Sequence, residues 1–240
     1  MGKKLKIFLG VSYLILLFLF LYFIFTLIEI NRLDDFTYYK ELQSDLDTFI
    51  SANVLINIFY FFIFAVIWVA LLGFGSPILI ISGILFGQII GTIVSVFSIS
   101  IGALILYSIG NFFFRDIVKV ILKKKFEKYI QLFQKNEFFY FFIYRFVGGL
   151  GVPFGLQNLI PILFGMKKTN YFFASFFGFI PGFFIINTIG AGLNNYISEA
   201  DNFSMIDFIF TPEIYLPIFM FSVLMFISLI IKKNFFNDTN

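Results

Sequence analysis

The 240-residue sequence contains neither cysteine nor histidine. That double absence excludes disulfides, thiol nucleophiles, haem and iron–sulfur ligation, His-held metals, and Ser–His or Cys–His catalysis. Charge is scarce too: Asp, Glu, Lys and Arg together make up 13% of the chain, against about a quarter in a soluble domain. Between Asn53 and Asp116 there is no acidic residue at all. With no carboxylate pair and no nucleophile–base set in the apolar stretches, no enzymatic activity, cofactor or metal is expected.

What the chain does contain is apolar side chains: 60% hydrophobic residues, 41 Phe among them, and a mean hydropathy of +0.96. This composition defines an integral membrane protein with room for about four to six passages of about 20 apolar residues each. Ile7 to Ile28 is a 22-residue run without charge behind a basic flank. It is longer than a signal-peptide core of about 7–15 residues and lacks a small-residue cleavage site, so residues 1–33 are expected to be a retained anchor. Lys6 stands where a myristoylation signal needs Ser or Thr.

Beyond the anchor, Tyr39, Leu42, Leu46, Phe49 and Ile50 recur at helical spacing within a polar, acidic segment. That pattern predicts a helix lying in the membrane interface. Val54–Leu72 is apolar and is broken by Gly73–Pro77. The following piece, Ile78–Gly87, covers about 15 Å and cannot cross a hydrocarbon core of about 30 Å. A Gly- and Ser-rich span is expected from Ile89 to Phe112, and then a basic interfacial helix over 115–135. A second broken segment, "FFYFFIYRFV", "GGLGVP", "FGLQNLIPILFG", precedes candidate spans Tyr171–Leu193 and Ile214–Ile231.

The element "ILFG" closes both broken segments, ending at Gly87 and at Gly165. Interfacial helix, broken hairpin and full span thus occur in order twice, over 35–112 and 113–194. With one net crossing per unit, the two form an inverted repeat. The expected architecture is all-α and polytopic: two inverted units, each of interfacial helix, re-entrant helical hairpin and transmembrane helix, flanked by N- and C-terminal transmembrane helices. The domains are 1–33, a membrane domain over 34–195, and a C-terminal helix and tail over 196–240. Val54–Leu72 is long enough to cross alone, which leaves two extra crossings as the other reading of the first hairpin.

Basic residues orient such a chain. With the N-terminus in the cytoplasm, 14 of the 17 Lys and Arg fall inside, including Lys3, Lys4, Lys6, the 115–135 cluster, Lys167, Lys168, Lys232 and Lys233. Arg32 and Lys40 fall outside with the acidic Asp34, Asp35, Glu41, Asp45, Asp47, Glu199, Asp201, Asp207 and Glu213. Both termini are therefore expected in the cytoplasm, and the plasma membrane of a bacterium is the expected location.

Broken backbone at membrane depth must be covered by protein or water, so the two breaks are expected to face each other. Ser76 as N-cap with Pro77 at the first helical position, and Pro153 likewise after Gly148, Gly149 and Gly151, would aim backbone N–H groups at an anion. Arg145 lies about 12 Å into the layer and marks either a ligand-facing cation or a snorkelling side chain. Gln157 and Asn158 either coordinate a headgroup or satisfy the broken backbone. Gln88, Asn111 and Asn187 are expected to form interhelical hydrogen bonds, and Pro161, Pro181 and Gly182 to shape helices.

"FGSPILIISGILFG", "FFIYRFVGGLGVPFGLQNLIPILFG" and "FFASFFGFIPGFFIINTIGAGL", in this order over about residues 70–195, resemble the SNARE-associated Golgi protein (VTT-domain) family of the DedA superfamily, with its Tvp-type branch the nearest fit. The resemblance implies opposed re-entrant hairpins and a role in moving or scrambling lipids. Members linked to proton coupling carry acidic residues around their hairpins, which this chain lacks over 53–115. The expectation is a transporter or flippase for a phosphate-bearing lipid, with membrane lipids as partners, no nucleic acid, and a homo-oligomer compatible with the sequence. A non-transporting membrane organiser and a small-anion transporter are the alternatives.

Overall fold

The computed structural model describes residues 3–27, 36–199 and 204–236. The acidic segments around Asp34, Asp35 and Asp201, with Arg32, lie outside them, as do the side chains of residues 116–129, which carry most of the basic interfacial face. Every element among the described residues is helical. Among the described residues four stretches are long and apolar enough to cross a membrane: Ile7–Ile24, Val54–Leu72, Ser76–Arg115 and Lys168–Glu199.

Helix α1 (Lys3–Leu27) is apolar over Ile7–Ile24, and α2 (Phe36–Ala52) is the expected amphipathic helix. The Asn53 side chain accepts from the Ile56 N–H and starts α3 (Val54–Leu72). Phe61, Ala65 and Val69 form the buried face of α3 at one residue per turn. Helix α3 ends where Gly73 adopts φ 69°, a left-handed cap open to glycine without strain. The Tyr13 hydroxyl donates to Leu71 O at 2.8 Å, and beyond the cap Trp68 Nε1 donates to Phe74 O at 3.0 Å.

Helix α4 (Ser76–Lys135) corrects the expected segmentation at Arg115, because helical backbone continues through it into the basic segment. It is not one rod. Gly87 has φ 72°, and the Ser82 hydroxyl donates to Gly91 O at 2.9 Å. Nine residues of straight helix would separate these two by about 13 Å, so the chain folds back at Gly87. It bends again further on: Tyr107 donates to Met166 O at 2.6 Å and Gln134 to Phe164 O at 2.8 Å. A straight helix would hold Tyr107 and Gln134 about 40 Å apart, too far to reach one turn.

Helix α5 (Glu137–Phe146) leads into a 3₁₀ turn (Gly148–Gly151) in which Gly148, Gly149 and Gly151 all have positive φ. Short helices α6 (Phe154–Leu159) and α7 (Pro161–Phe164) return the chain to Gly165, again left-handed at φ 63°. Helix α8 (Lys168–Glu199) begins beneath Glu137, whose carboxylate accepts from the Lys167 N–H and from Asn170 Nδ2. Helices α9 (Met205–Phe210) and α10 (Pro212–Phe236) follow, and α10 packs on α8 and on the 3₁₀ turn.

The two "ILFG" elements play the same part: each ends a short arm on a left-handed glycine before a long helix. Their packing partners are exchanged. Ile80 and Gly83 of the first arm press on Gly190 and Asn187 of α8 so closely that a Cβ on Gly83 would sit 2.2 Å from Asn187 O. Leu159 and Ile162 of the second arm press on Gly110 of α4, 2.5 and 2.9 Å from where its Cβ would be. The breaks meet as well, a Cβ on Gly73 falling 3.2 Å from Gly155 Cα.

Candidate functional site

Arg145 lies in the last turn of α5, one residue before the helix ends, and is only 3% exposed. Its Nη1 donates to Gln157 Oε1 at 2.9 Å, and its Nη2 donates to Asn158 Oδ1 and to the Tyr171 hydroxyl at 3.0 Å. The Tyr171 hydroxyl in turn reaches Asn158 Oδ1 at 3.0 Å and Ala103 O at 3.3 Å. Aromatic rings enclose the cation, with the centroids of Phe179, Phe141, Phe154 and Tyr171 at 4.7, 4.8, 5.5 and 5.8 Å from the guanidinium carbon. Ring quadrupoles attract such a cation by about 0.5–2 kcal/mol per face.

No carboxylate of the described residues pairs with this guanidinium. Neutral oxygens and π faces therefore compensate a full charge in a setting where removing it from water costs several kcal/mol. Arg145 Nε and Asn158 Nδ2 are both buried without a hydrogen-bond partner among the described residues. Arg145 does not snorkel, because burial and three hydrogen bonds hold it inside.

The other expected site residues divide. Gln157 and Asn158 join Arg145, and Gln157 Nε2 also donates to Val152 O at 2.6 Å and Gly148 O at 3.4 Å, so it satisfies the broken backbone while orienting the cation. Gly149 is needed there, since a Cβ would meet the Gln157 amide at 2.1–2.4 Å. Gly148 and Gly151 turn the chain but face open space. Gly75, not Ser76, is the N-cap of α4, and Ser76 makes no cap hydrogen bond, being already the first helical residue. Pro153 occupies the N-cap of α6 and not its first turn, because ψ of 137° is extended. Ser76 and Pro77 are exposed and stand outside the ring of groups on Arg145. The first break reaches that ring through Gly75, whose Cβ position is 3.6 Å from the Phe154 ring.

Tyr171, Phe154 and Phe179 escape a sequence reading. The one available signal was that a buried arginine needs acceptors, and Tyr171 is the first hydroxyl-bearing aromatic after the Lys167–Lys168 flank. Tyr107 supports it from behind, stacked at 4.5 Å and 9°.

Long apolar helices, broken short arms and a buried cation define a polytopic helical membrane protein with its polar centre at the second break. A model of the VTT domain matches residues 48–192, more than half of the chain. The chain belongs to the VTT-domain family. Neither a curated protein nor a solved structure matches it.

Proposed function

We propose that the protein moves a phosphate-bearing lipid between the leaflets of a bacterial plasma membrane, both termini being cytoplasmic. Within its family it is nearest the Tvp-type branch, on the motifs quoted above. The observation that carries this reading is the Arg145 guanidinium, buried without a carboxylate partner among the described residues, its Nε unpaired there and the Nδ2 of the neighbouring Asn158 unpaired as well. A phosphate is the ligand for such donors, because a planar fork and an amide bind its oxygens with charge-assisted hydrogen bonds. The exchanged packing of the two short arms supports units related by two-fold symmetry, since such an axis makes contacts reciprocal. An inverted repeat of this kind places its binding region at the contact of the two breaks. Entry of a headgroup then requires the aromatic ring around Arg145 to part.

The experiment is transbilayer movement of a labelled phospholipid in reconstituted vesicles. Wild type accelerates movement, Arg145→Ala abolishes the acceleration, and Arg145→Lys, a point charge without the fork, restores only part of it. Movement unchanged in Arg145→Ala overturns the reading. The sealed state of Arg145 favours a second reading, a non-transporting membrane organiser, which predicts no acceleration in wild type. Flux of inorganic anions without lipid movement selects a small-anion transporter.

A further inference from the structure

The side chain of Arg145 lies along one face of α8. Its Cβ stands 2.5 Å from where a Cβ on Gly178 would be, and its Nη2 reaches the Tyr171 hydroxyl at 3.0 Å. Tyr171, Ser175 and Gly178 follow one another on that face at helical spacing, so the arginine runs past Ser175. Ser175 is 0% exposed. Its hydroxyl stands beside that of Tyr171 but outside hydrogen-bonding geometry, and it has no partner among the described residues. A helical serine ordinarily turns its hydroxyl to the carbonyl one turn back. Ser12 and Ser222 do so, at 3.0 and 2.9 Å, whereas Ser175 does not.

Ser100 repeats the pattern from the other side of Tyr171. It shares a face of α4 with Ala103 and Tyr107; Ala103 O accepts from the Tyr171 hydroxyl at 3.3 Å, and the Tyr107 ring stacks on that of Tyr171. Phe97 and Phe176, 4.7 Å apart, continue the same contact of α4 with α8, so Ser100 faces the stretch of α8 between Tyr171 and Phe176. It too is 0% exposed with an unpaired hydroxyl. Arg145 Nε, Asn158 Nδ2, Ser175 Oγ and Ser100 Oγ, from four different helices, are thus buried without a partner around one tyrosine. Buried donors left unmade are costly, and donors arriving from several directions suit a tetrahedral group of oxygens better than the two in-plane oxygens of a carboxylate. We propose that Ser175 and Ser100 are further phosphate-binding residues of the Arg145 site and give it selectivity for phosphate over carboxylate. This inference rests on the reading of Arg145 as a phosphate-binding cation.

The test is thermal unfolding of the full chain in detergent, titrated with dihexanoyl phosphatidylglycerol, inorganic phosphate or hexanoate; a ligand bound only by the folded chain raises the unfolding temperature. Wild type is stabilised by a phosphate compound and not by hexanoate. A response to the phospholipid alone gives a lipid headgroup as the source of the phosphate, and a response to inorganic phosphate gives a small anion. Ser175→Ala and Ser100→Ala each raise the half-saturating concentration about fivefold, the loss of one hydrogen bond. Their ligand-free unfolding temperatures are unchanged or higher, because a methyl group replaces an unpaired hydroxyl. Ser222→Ala, on the exposed side of α10, changes neither quantity. A lower ligand-free temperature with the phosphate response intact gives the serines a packing role and overturns the inference. A response kept at full affinity in both serine variants but lost in Arg145→Ala overturns the serines alone, and a wild type indifferent to both phosphate compounds overturns the reading of Arg145 as well. An equal response to hexanoate overturns the selectivity.

Discussion

Replacing Tyr171 by Phe removes one oxygen and keeps the ring. The stack on Tyr107, at 4.5 Å, and the contact with Phe141, at 5.2 Å, both survive the change. What disappears is an acceptor for Arg145 Nη2 at 3.0 Å and a donor shared between Asn158 Oδ1 and Ala103 O. A hydrogen bond to a charged group contributes about 1.5–3 kcal/mol, against about 1 kcal/mol for a neutral one. Tyr171→Phe is therefore expected to destabilise the protein by about 2 kcal/mol. Tyr107→Phe is the matched control, because its hydroxyl donates only to the neutral Met166 carbonyl and should cost about 1 kcal/mol. Thermal unfolding of purified protein can be followed through the single Trp, Trp68, whose indole N–H bonds to Phe74 O at the first break. Lipid movement in vesicles supplies the second readout: Tyr171→Phe should lower it more than Tyr107→Phe after correction for folded fraction. Equal stability losses in the two variants would refute the idea that the phenol shares the charge of Arg145.

Other substitutions test the packing. Gly83→Ala should destabilise by about 1–3 kcal/mol through overpacking on the α8 backbone, whereas Gly182→Ala, with open space around it, should be neutral or stabilising by up to about 1 kcal/mol; chemical denaturation compares them. Gly87→Ala meets nothing within 4 Å, so its loss of about 1–2 kcal/mol would be backbone strain alone, with Gly87→Asn milder in the same measurement. Gly178→Ala would put a Cβ 2.5 Å from Arg145 Cβ and should lower lipid movement with the arginine still present. Glu137→Gln keeps the shape but removes the charge capping α8, and hydrogen exchange at Lys167 and Asn170 should rise about fivefold.

Much of this was legible in the sequence because membrane helices leave few options for backbone polar groups. Gly73, the Gly148–Gly151 cluster and both "ILFG" glycines mark turns, and each has the positive φ that makes glycine necessary. Ser76 misled because serine is a strong N-cap residue, yet Gly75 preceded it and Pro77 tolerates either register. The continuity of α4 was hidden, because the change from apolar to basic residues near Arg115 reads as an element boundary while the helix keeps its hydrogen bonds through a bend. Tyr171 was out of reach: its partners are 13 and 26 residues away, and no local period connects them.

The two arms that end in "ILFG" differ chemically, and that difference separates a polar role from packing. Aligned on the shared "ILFG", the positions of Arg145 and Tyr171 in the second segment correspond to Ile67 and Ile93 in the first. Helix α3 carries no charged residue, and its one amide side chain, Asn57, donates to the Phe49 carbonyl far from the break. The first break is stable without a cation, through Trp68 and Tyr13 on its carbonyls. A hairpin of this design therefore does not need an arginine to fold, and the second hairpin holds one against a desolvation penalty of several kcal/mol. If the charge served packing alone, importing the apolar solution would be the better fold. The combined replacement Arg145→Met, Gln157→Leu, Asn158→Leu should accordingly match or exceed wild-type stability in the unfolding assay while abolishing lipid movement. A triple variant that unfolds more easily than Arg145→Ala would show instead that the polar network is needed for assembly of the second hairpin.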